Sequence, residues 1–273
     1  MFTIDTSEQV TPDAAGEDAS RRRVEVLGCR IDALDMDGTI ARAERLVAER
    51  GLAQHVAINA AKLVSMQGDP ELRDVVANCE LVTADGQAVV WASRILGHPL
   101  PTRVAGIDLM HALLELAERR GLRVFVLGAK PEILERAVGR IRERHPRLQL
   151  AGSRHGYFEE AEDAEIAEAV QTARADVLFV AISSPKKEYW LGRYGRQIGV
   201  PFVMGVGGSI DVVAGQTRRA PPLLQRLGLE WAFRLSQEPR RLWRRYLVTN
   251  TKFIALVARA WLAQRLGRRS RSR

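Results

Sequence analysis

Asp85 closes the apolar run LVTA and precedes Gly86, so it stands where a strand hands over to a helix. A carboxylate at such a point can take a proton from a substrate hydroxyl, or it can cap the helix that follows. Asp211 carries the same ambiguity, just beyond the cluster Gly205, Gly207 and Gly208. Glycines at a strand-to-helix turn let backbone N–H groups approach a phosphate, and the helix dipole favours an anion there. Neither GxGxxG nor GxxxxGK[ST] is present, so packing alone also explains the cluster. Gly128-Ala129-Lys130-Pro131 and the stretch Ser183 to Glu188 end two further apolar runs.

A second pair of carboxylates lies in Asp35-Met36-Asp37-Gly38-Thr39. DxDGT is the spelling of the nucleophile loop of haloacid-dehalogenase-type phosphatases, and DxD that of the metal clamp of many sugar-nucleotide transferases. Both hold Mg²⁺ against phosphate oxygens. The phosphatase loop follows a strongly apolar strand, whereas Cys29 to Leu34 carry two charges. The competing reading is a helix N-terminus with Asp37 or Thr39 as cap. His55, His98, His111, His145 and His155 show no metal-ligand spacing, and Cys29 and Cys79 have no ligand neighbours. No metal site is expected, and the cysteine usage fits a reducing compartment.

Something must position these loops. From Val24 onward short β-rich runs alternate with stretches of helical period: VEVLG, then 40–50; 54–59, then 60–67; 80–86, then 87–96; 123–129, then 132–144; 175–182, then 187–197; 200–208, then 210–214. That rhythm predicts βαβ units: an α/β, Rossmann-like, mostly parallel sheet with helices on both faces. Ligands of such sheets gather at the C-terminal strand ends. Residues 1–23 read as a disordered leader, 24–220 as the catalytic domain, and 221–273 as a helical appendage with a disordered basic end.

Of 273 residues, 46% are hydrophobic and 27% charged, which excludes a disordered, collagenous or disulfide-stapled chain. The net charge of +8 is localised. Fifteen basic residues and only two acidic ones, Glu230 and Glu238, fall from Arg218 onward, leaving a mildly acidic body. Such a tail seeks phosphate: a nucleic acid, an anionic membrane or a phosphorylated substrate. Leu242, Tyr246, Phe253, Val257 and Trp261 continue an apolar face among arginines, the composition of an interfacial helix or of a helix docked on its own domain. No run is long and apolar enough for a spanning helix or a secretory signal.

Taken in order, the stretches TADGQAVVWASRILGHPLPTRVAGIDLM (83–110), VFVLGAKPEILERA (124–137), HGYF (155–158), DVLFVAISSPKKEYW (176–190), GVGGSIDVVAGQTRRAP (205–221) and LGLEWAFRLSQEPRRLWRRYLVTN (227–250) resemble the WecG/TagA/CpsF family of bacterial glycosyltransferases. The resemblance implies an inverting transfer of a hexose or N-acetylhexosamine, N-acetylmannosamine-like, from a UDP-sugar to an undecaprenyl-diphosphate-linked sugar. The work is done peripherally, at the cytoplasmic face of the membrane, in cell-surface polysaccharide synthesis. It implies no metal or other cofactor, an anionic membrane surface as partner and no nucleic acid, and it leaves a homo-oligomer open. By the same resemblance Asp85 is the base and Asn59 faces its pocket. Tyr157, Gly205, Gly207, Gly208 and Asp211 meet the UDP moiety, and Arg234, Arg241 and Arg244 reach back from the appendage over the diphosphate.

Two positions depart from the pattern of relatives: Ala57 stands in place of a threonine, and Lys187 in place of a glutamine near the expected sugar site. They point to altered donor choice, such as a uronic acid paired with Lys187, or to neutral drift. Two other functions compete. One is a Mg²⁺-dependent phosphatase built on Asp35 and Asp37; the other is nucleic-acid binding through the tail, which the apolar placement of its aromatics opposes.

Overall fold

The computed structural model describes residues 22–271. The leader expected over 1–23 therefore lies outside the described residues, apart from its last two positions. Strand β1 (Arg23–Val26) pairs with β2 (Cys29–Asp32) as an antiparallel hairpin, Arg23 opposite Asp32 and Val26 opposite Cys29. The VEVLG run is thus not a strand of the parallel sheet. Val24, Val26, Cys29 and Ile31 are buried while Glu25 and Arg30 are exposed, and such one-sided alternation suits a hairpin covering a core.

Helix α1 (Met36–Glu49) follows, with Asp35 as its cap: the carboxylate accepts from the Gly38 N–H at 2.9 Å. The buried Thr39 hydroxyl donates to the Asp35 carbonyl at 2.6 Å. DxDGT here is a helix start, and the capping residue is Asp35 rather than Asp37 or Thr39.

The main sheet has six parallel strands in the order β4-β3-β8-β7-β5-β6. They are β3 (Ala53–Ile58), β4 (Leu81–Ala84), β5 (Arg123–Gly128), β6 (Gln149–Arg154), β7 (Val177–Ala181) and β8 (Phe202–Gly205). Between them run α2 (Ala60–Met66), α3 (Pro70–Ala77), α4 (Gln87–Ile95), α5 (Gly106–Arg120), α6 (Pro131–Arg144), α7 (Asp163–Thr172) and α8 (Lys186–Ile198), with α9 (Ser209–Val213) after β8. Alternate strand residues serve opposite cores. Val124, Val126, Val177, Phe179, Phe202 and Met204 pack with α1, α5, α6 and α9, while Phe125, Leu127, Leu178, Val180 and Val203 pack with α7 and α8. Apolar side chains on both faces are what a parallel sheet covered on both sides requires.

The tail forms α10 (Pro222–Arg226), α11 (Glu230–Gln237) and the long α12 (Pro239–Arg271). Leu242, Phe253 and Val257 are buried, and the last two join the core cluster of Leu63 in α2 and Val89 in α4. The apolar face legible in the sequence is therefore docked on the protein's own domain. A different stripe, Trp243, Leu247 and Ile254, remains exposed at 52%, 61% and 66%. No helix among the described residues is long and apolar enough to cross a membrane.

Candidate active site

Register builds the site. Ile58 pairs with Ala84, so Asn59 and Asp85, the next residue of each strand, emerge side by side at the C-terminal edge of the sheet. The Asp85 N–H continues the ladder to the Ile58 carbonyl at 2.9 Å. Gly205, at the end of β8 on the other flank of β3, delivers the glycine loop to the same edge. The neighbouring parallel strands β3 and β8 lead into helices on opposite faces of the sheet, α2 and α9, the kind of crevice where open α/β sheets take ligands.

Asp85 does not cap the helix after it. Helix α4 begins at Gly86 without a side-chain cap. The Asp85 carboxylate instead accepts the first N–H of α5, from Gly106, at 2.8 Å. Burial pushes its pKa above the ordinary carboxylate value; the Gly106 bond, then Arg234 and Arg103, oppose this, and Glu230 reinforces it. Asn59 caps α2, its side-chain oxygen accepting from the Lys62 N–H at 3.0 Å, and its Cα and Cβ stand 3.6 Å from where a Gly86 Cβ would be. It thus forms the wall beside Asp85.

A cleft lies between the glycine loop and the tail, walled among others by Gly208, Asp211, Arg234, Arg241, Arg245 and Tyr246. Asp85 and Asn59 are not in its lining, and Arg234, whose charge reaches Asp85, is the link between them. Over Gly208, a methyl group would lie 3.6 Å from Asp211 Oδ2 and 3.9 Å from Arg234 Nη1. Burial raises the Asp211 pKa, while Arg241 and Arg234 pull it down. Helix α9 has only five residues, so its dipole is weak and the arginines supply most of the positive charge. Arg244, expected here, is not part of the wall; Arg245, four residues beyond Arg241, takes the place.

Two other expected residues lie elsewhere. Tyr157 is 64% exposed on the β6 side and does not line the cleft. Its loop is fixed by close backbone approach: a Gly156 Cβ would fall 2.9 Å from the Gly128 Cα. Lys187 is buried under Gly205, where any side chain at 205 would collide with its ammonium. That ammonium pairs with Glu188 at 3.2 Å, and Lys62 joins the same carboxylate. Burial, then Lys62, lowers the Lys187 pKa to about 8. Burial acts to raise Glu188, but Lys187 and Lys62 outweigh it and hold it at about 2. The lysine expected to face a sugar is thus committed to a buried ion cluster propping the glycine loop.

Four residues of this region were not singled out by sequence reasoning: Arg103, Glu230, Arg245 and Lys62. Arg103 and Lys62 carry no local pattern. Glu230 had a signal, being one of two carboxylates in a strongly basic tail.

A profile of the glycosyl transferase WecG/TagA/CpsF family matches residues 24–267. The chain belongs to this family. It is also 34% identical over 189 residues to the Bacillus spizizenii protein named N-acetylglucosaminyldiphosphoundecaprenol N-acetyl-beta-D-mannosaminyltransferase, covering 69% of this chain and 72% of that protein. As a member of the WecG/TagA/CpsF family the chain is a glycosyltransferase, and Asp85 together with the cleft that Arg234 links to it is its candidate active site. The family match runs through α11 and most of α12, so the appendage belongs to the family unit.

Proposed function

We propose that the protein moves a hexose or N-acetylhexosamine from a UDP-sugar to a sugar carried on a polyprenyl diphosphate. Asp85 takes the proton of the acceptor hydroxyl as that oxygen bonds to the anomeric carbon. The bond from that carbon to the UDP oxygen breaks on the opposite face, and the sugar is inverted. UDP leaves with its new negative charge held by Arg234, Arg241 and Arg245 of the cleft wall. The observation that carries this reading is the tail residue Arg234, which overhangs the glycine loop in the cleft wall and whose charge reaches the half-buried Asp85. The family match and the relative's name support the transfer chemistry. That name makes an N-acetylmannosaminyl group and an N-acetylglucosaminyl-diphosphoundecaprenol acceptor the first pair to test.

We place the reaction at the cytoplasmic face of the membrane, with the enzyme bound peripherally. The exposed stripe Trp243, Leu247 and Ile254, flanked by Arg240, Arg244 and Lys252, suits an anionic interface. The phosphatase reading loses its footing, because an Asp35 oxygen is occupied as a helix cap.

The test is a panel of UDP-sugars offered with a synthetic polyprenyl-diphosphate sugar, scored by UDP release. Asp85→Asn is expected to lower kcat by about 10²–10⁴ while UDP binding persists. Near-normal turnover in that variant removes Asp85 as the base.

A further inference from the structure

Of the tail's two carboxylates, Glu238 pairs within its own neighbourhood, with Arg241 at 2.6 Å. Glu230 instead reaches across to the body. Its carboxylate bonds Arg103, in the segment just before α5, and lies 3.8 Å from the Nε of Arg219. Arg219 in turn grips Asp108 with both arms of its guanidinium, at 2.5 and 2.6 Å. Asp108 lies in the first turn of α5, the same turn whose Gly106 N–H holds Asp85. A continuous set of contacts therefore joins the appendage to the carboxylate at the sheet edge.

The other end of α11 is fixed as well. Gln237 accepts from the Arg218 N–H at 2.9 Å and donates to the Arg218 carbonyl at 3.0 Å. Helix α11 thus has its first and last residues tied to the segment 218–219, and Glu230 is also tied to Arg103. Arg234 lies four residues after Glu230, on the same helix face, and its guanidinium overhangs Gly208. The ties at both ends of this eight-residue helix oppose its rotation and sliding, and Trp231 meets Tyr246 of α12 edge-on, so the position of Arg234 follows from these contacts.

We propose that Glu230 is a positioning residue: by holding Arg103 and Arg219 it fixes α11 so that Arg234 stands over the glycine loop beside Asp85. Arg234 acts on the leaving group and Glu230 positions it. Because the charge of Glu230 also raises the Asp85 pKa, the variants are compared at a pH well above the acid limb, where Asp85 is ionised in all of them. This deepens the transfer reading above and rests on it. The ties are charge-assisted and only partly exposed, with side chains of Arg103 and Glu230 at 14% and 25%, so solvent screening leaves them substantial.

The experiment compares Glu230→Gln, Arg234→Ala and the double variant in the full chain, by UDP release and by hydrogen exchange of the α11 amides. Glu230→Gln is expected to lower kcat about 10–100-fold and to speed α11 exchange, while the β3 and β5 amides keep their protection. In the Arg234→Ala background the same change is expected to alter kcat by less than about twofold, because a residue acting through Arg234 has nothing left to act on. Asp108→Asn, at the far end of the chain of contacts, should give a smaller loss with the same dependence on Arg234. Additive losses, unchanged turnover in Glu230→Gln, or loss of sheet protection would each overturn the proposal. Should the unaltered protein release UDP from no donor, the transfer reading fails. The exchange measurement then decides the tie alone: faster α11 exchange in Glu230→Gln upholds it, and unchanged exchange overturns it.

Discussion

Asp85 is held in a compromise between basicity and charge. Full solvation would leave it an ordinary, weakly basic carboxylate, while burial without partners would leave it protonated. Burial raises its pKa, and the Gly106 N–H with Arg234 and Arg103 stops the rise. A base with a raised pKa loses its working, ionised form as pH falls, and does so earlier than an ordinary carboxylate. The acid limb of kcat/KM is therefore expected above the usual range of about 4. The same sign makes the ionised form a cost to the fold, so Asp85→Asn is expected to match or exceed the parent in melting temperature at neutral pH while losing turnover. A pH–rate profile and a thermal melt check the two halves. Glu188 is the opposite case: with Lys62 and Lys187 it is almost wholly buried, at 4%, 7% and 10% side-chain exposure. Glu188→Gln leaves two ammoniums facing each other and is expected to destabilise by about 3–5 kcal/mol in chemical denaturation. Its depressed pKa contributes stability above the unfolded value near 4.5, lost as pH falls toward about 2.

At the scale of elements, α12 does two jobs with two faces. Phe253 and Val257 close the core over α2 and α4, while Leu242 and the arginines of its first turns wall the cleft. Phe253→Ala should cost about 3–5 kcal/mol, read as a drop in denaturant midpoint, because its partners in α2 and α4 cannot all collapse into the void. Deletion from Pro221 removes these side chains together and uncovers the cluster around Leu63. The truncated protein is expected to be inactive and also to melt earlier and self-associate, measurable by calorimetry and light scattering. The short α11 has no buried residue; polar ties at its two ends and one edge-on contact, Trp231 with Tyr246 of α12, hold it in place. Its position is therefore more sensitive to single charge changes than that of α12.

For the whole molecule, the acidic body and basic tail divide the labour between fold and surface. The exposed Trp243, Leu247 and Ile254 lie on the helix that also carries the cleft arginines. Under the proposed function this stripe is the part of α12 that meets the bilayer. Leu247→Ser with Ile254→Ser is expected to weaken binding to anionic vesicles about tenfold or more, and added salt to weaken it further. Co-sedimentation with vesicles of phosphatidylglycerol and phosphatidylcholine measures both.

The alternation of apolar runs with helical stretches determined the covered parallel sheet, because hydrophobic period is a local property that survives any tertiary arrangement. The strand ends carrying Asp85 and the glycine loop were equally legible, since both sit where period changes. Family resemblance, not spacing, assigned their roles. Tertiary structure alone decided what each polar group touches. The carboxylate of Asp85 turned to α5 rather than to its own helix, and Lys187 went into an ion cluster. Arg245 rather than Arg244 entered the cleft, and the apolar face of α12 packed inward. Register, helix rotation and the choice among competing charged partners are set by packing between segments far apart in the chain. Apart from the adjacent Lys187 and Glu188, no short window of sequence contains both halves of those contacts.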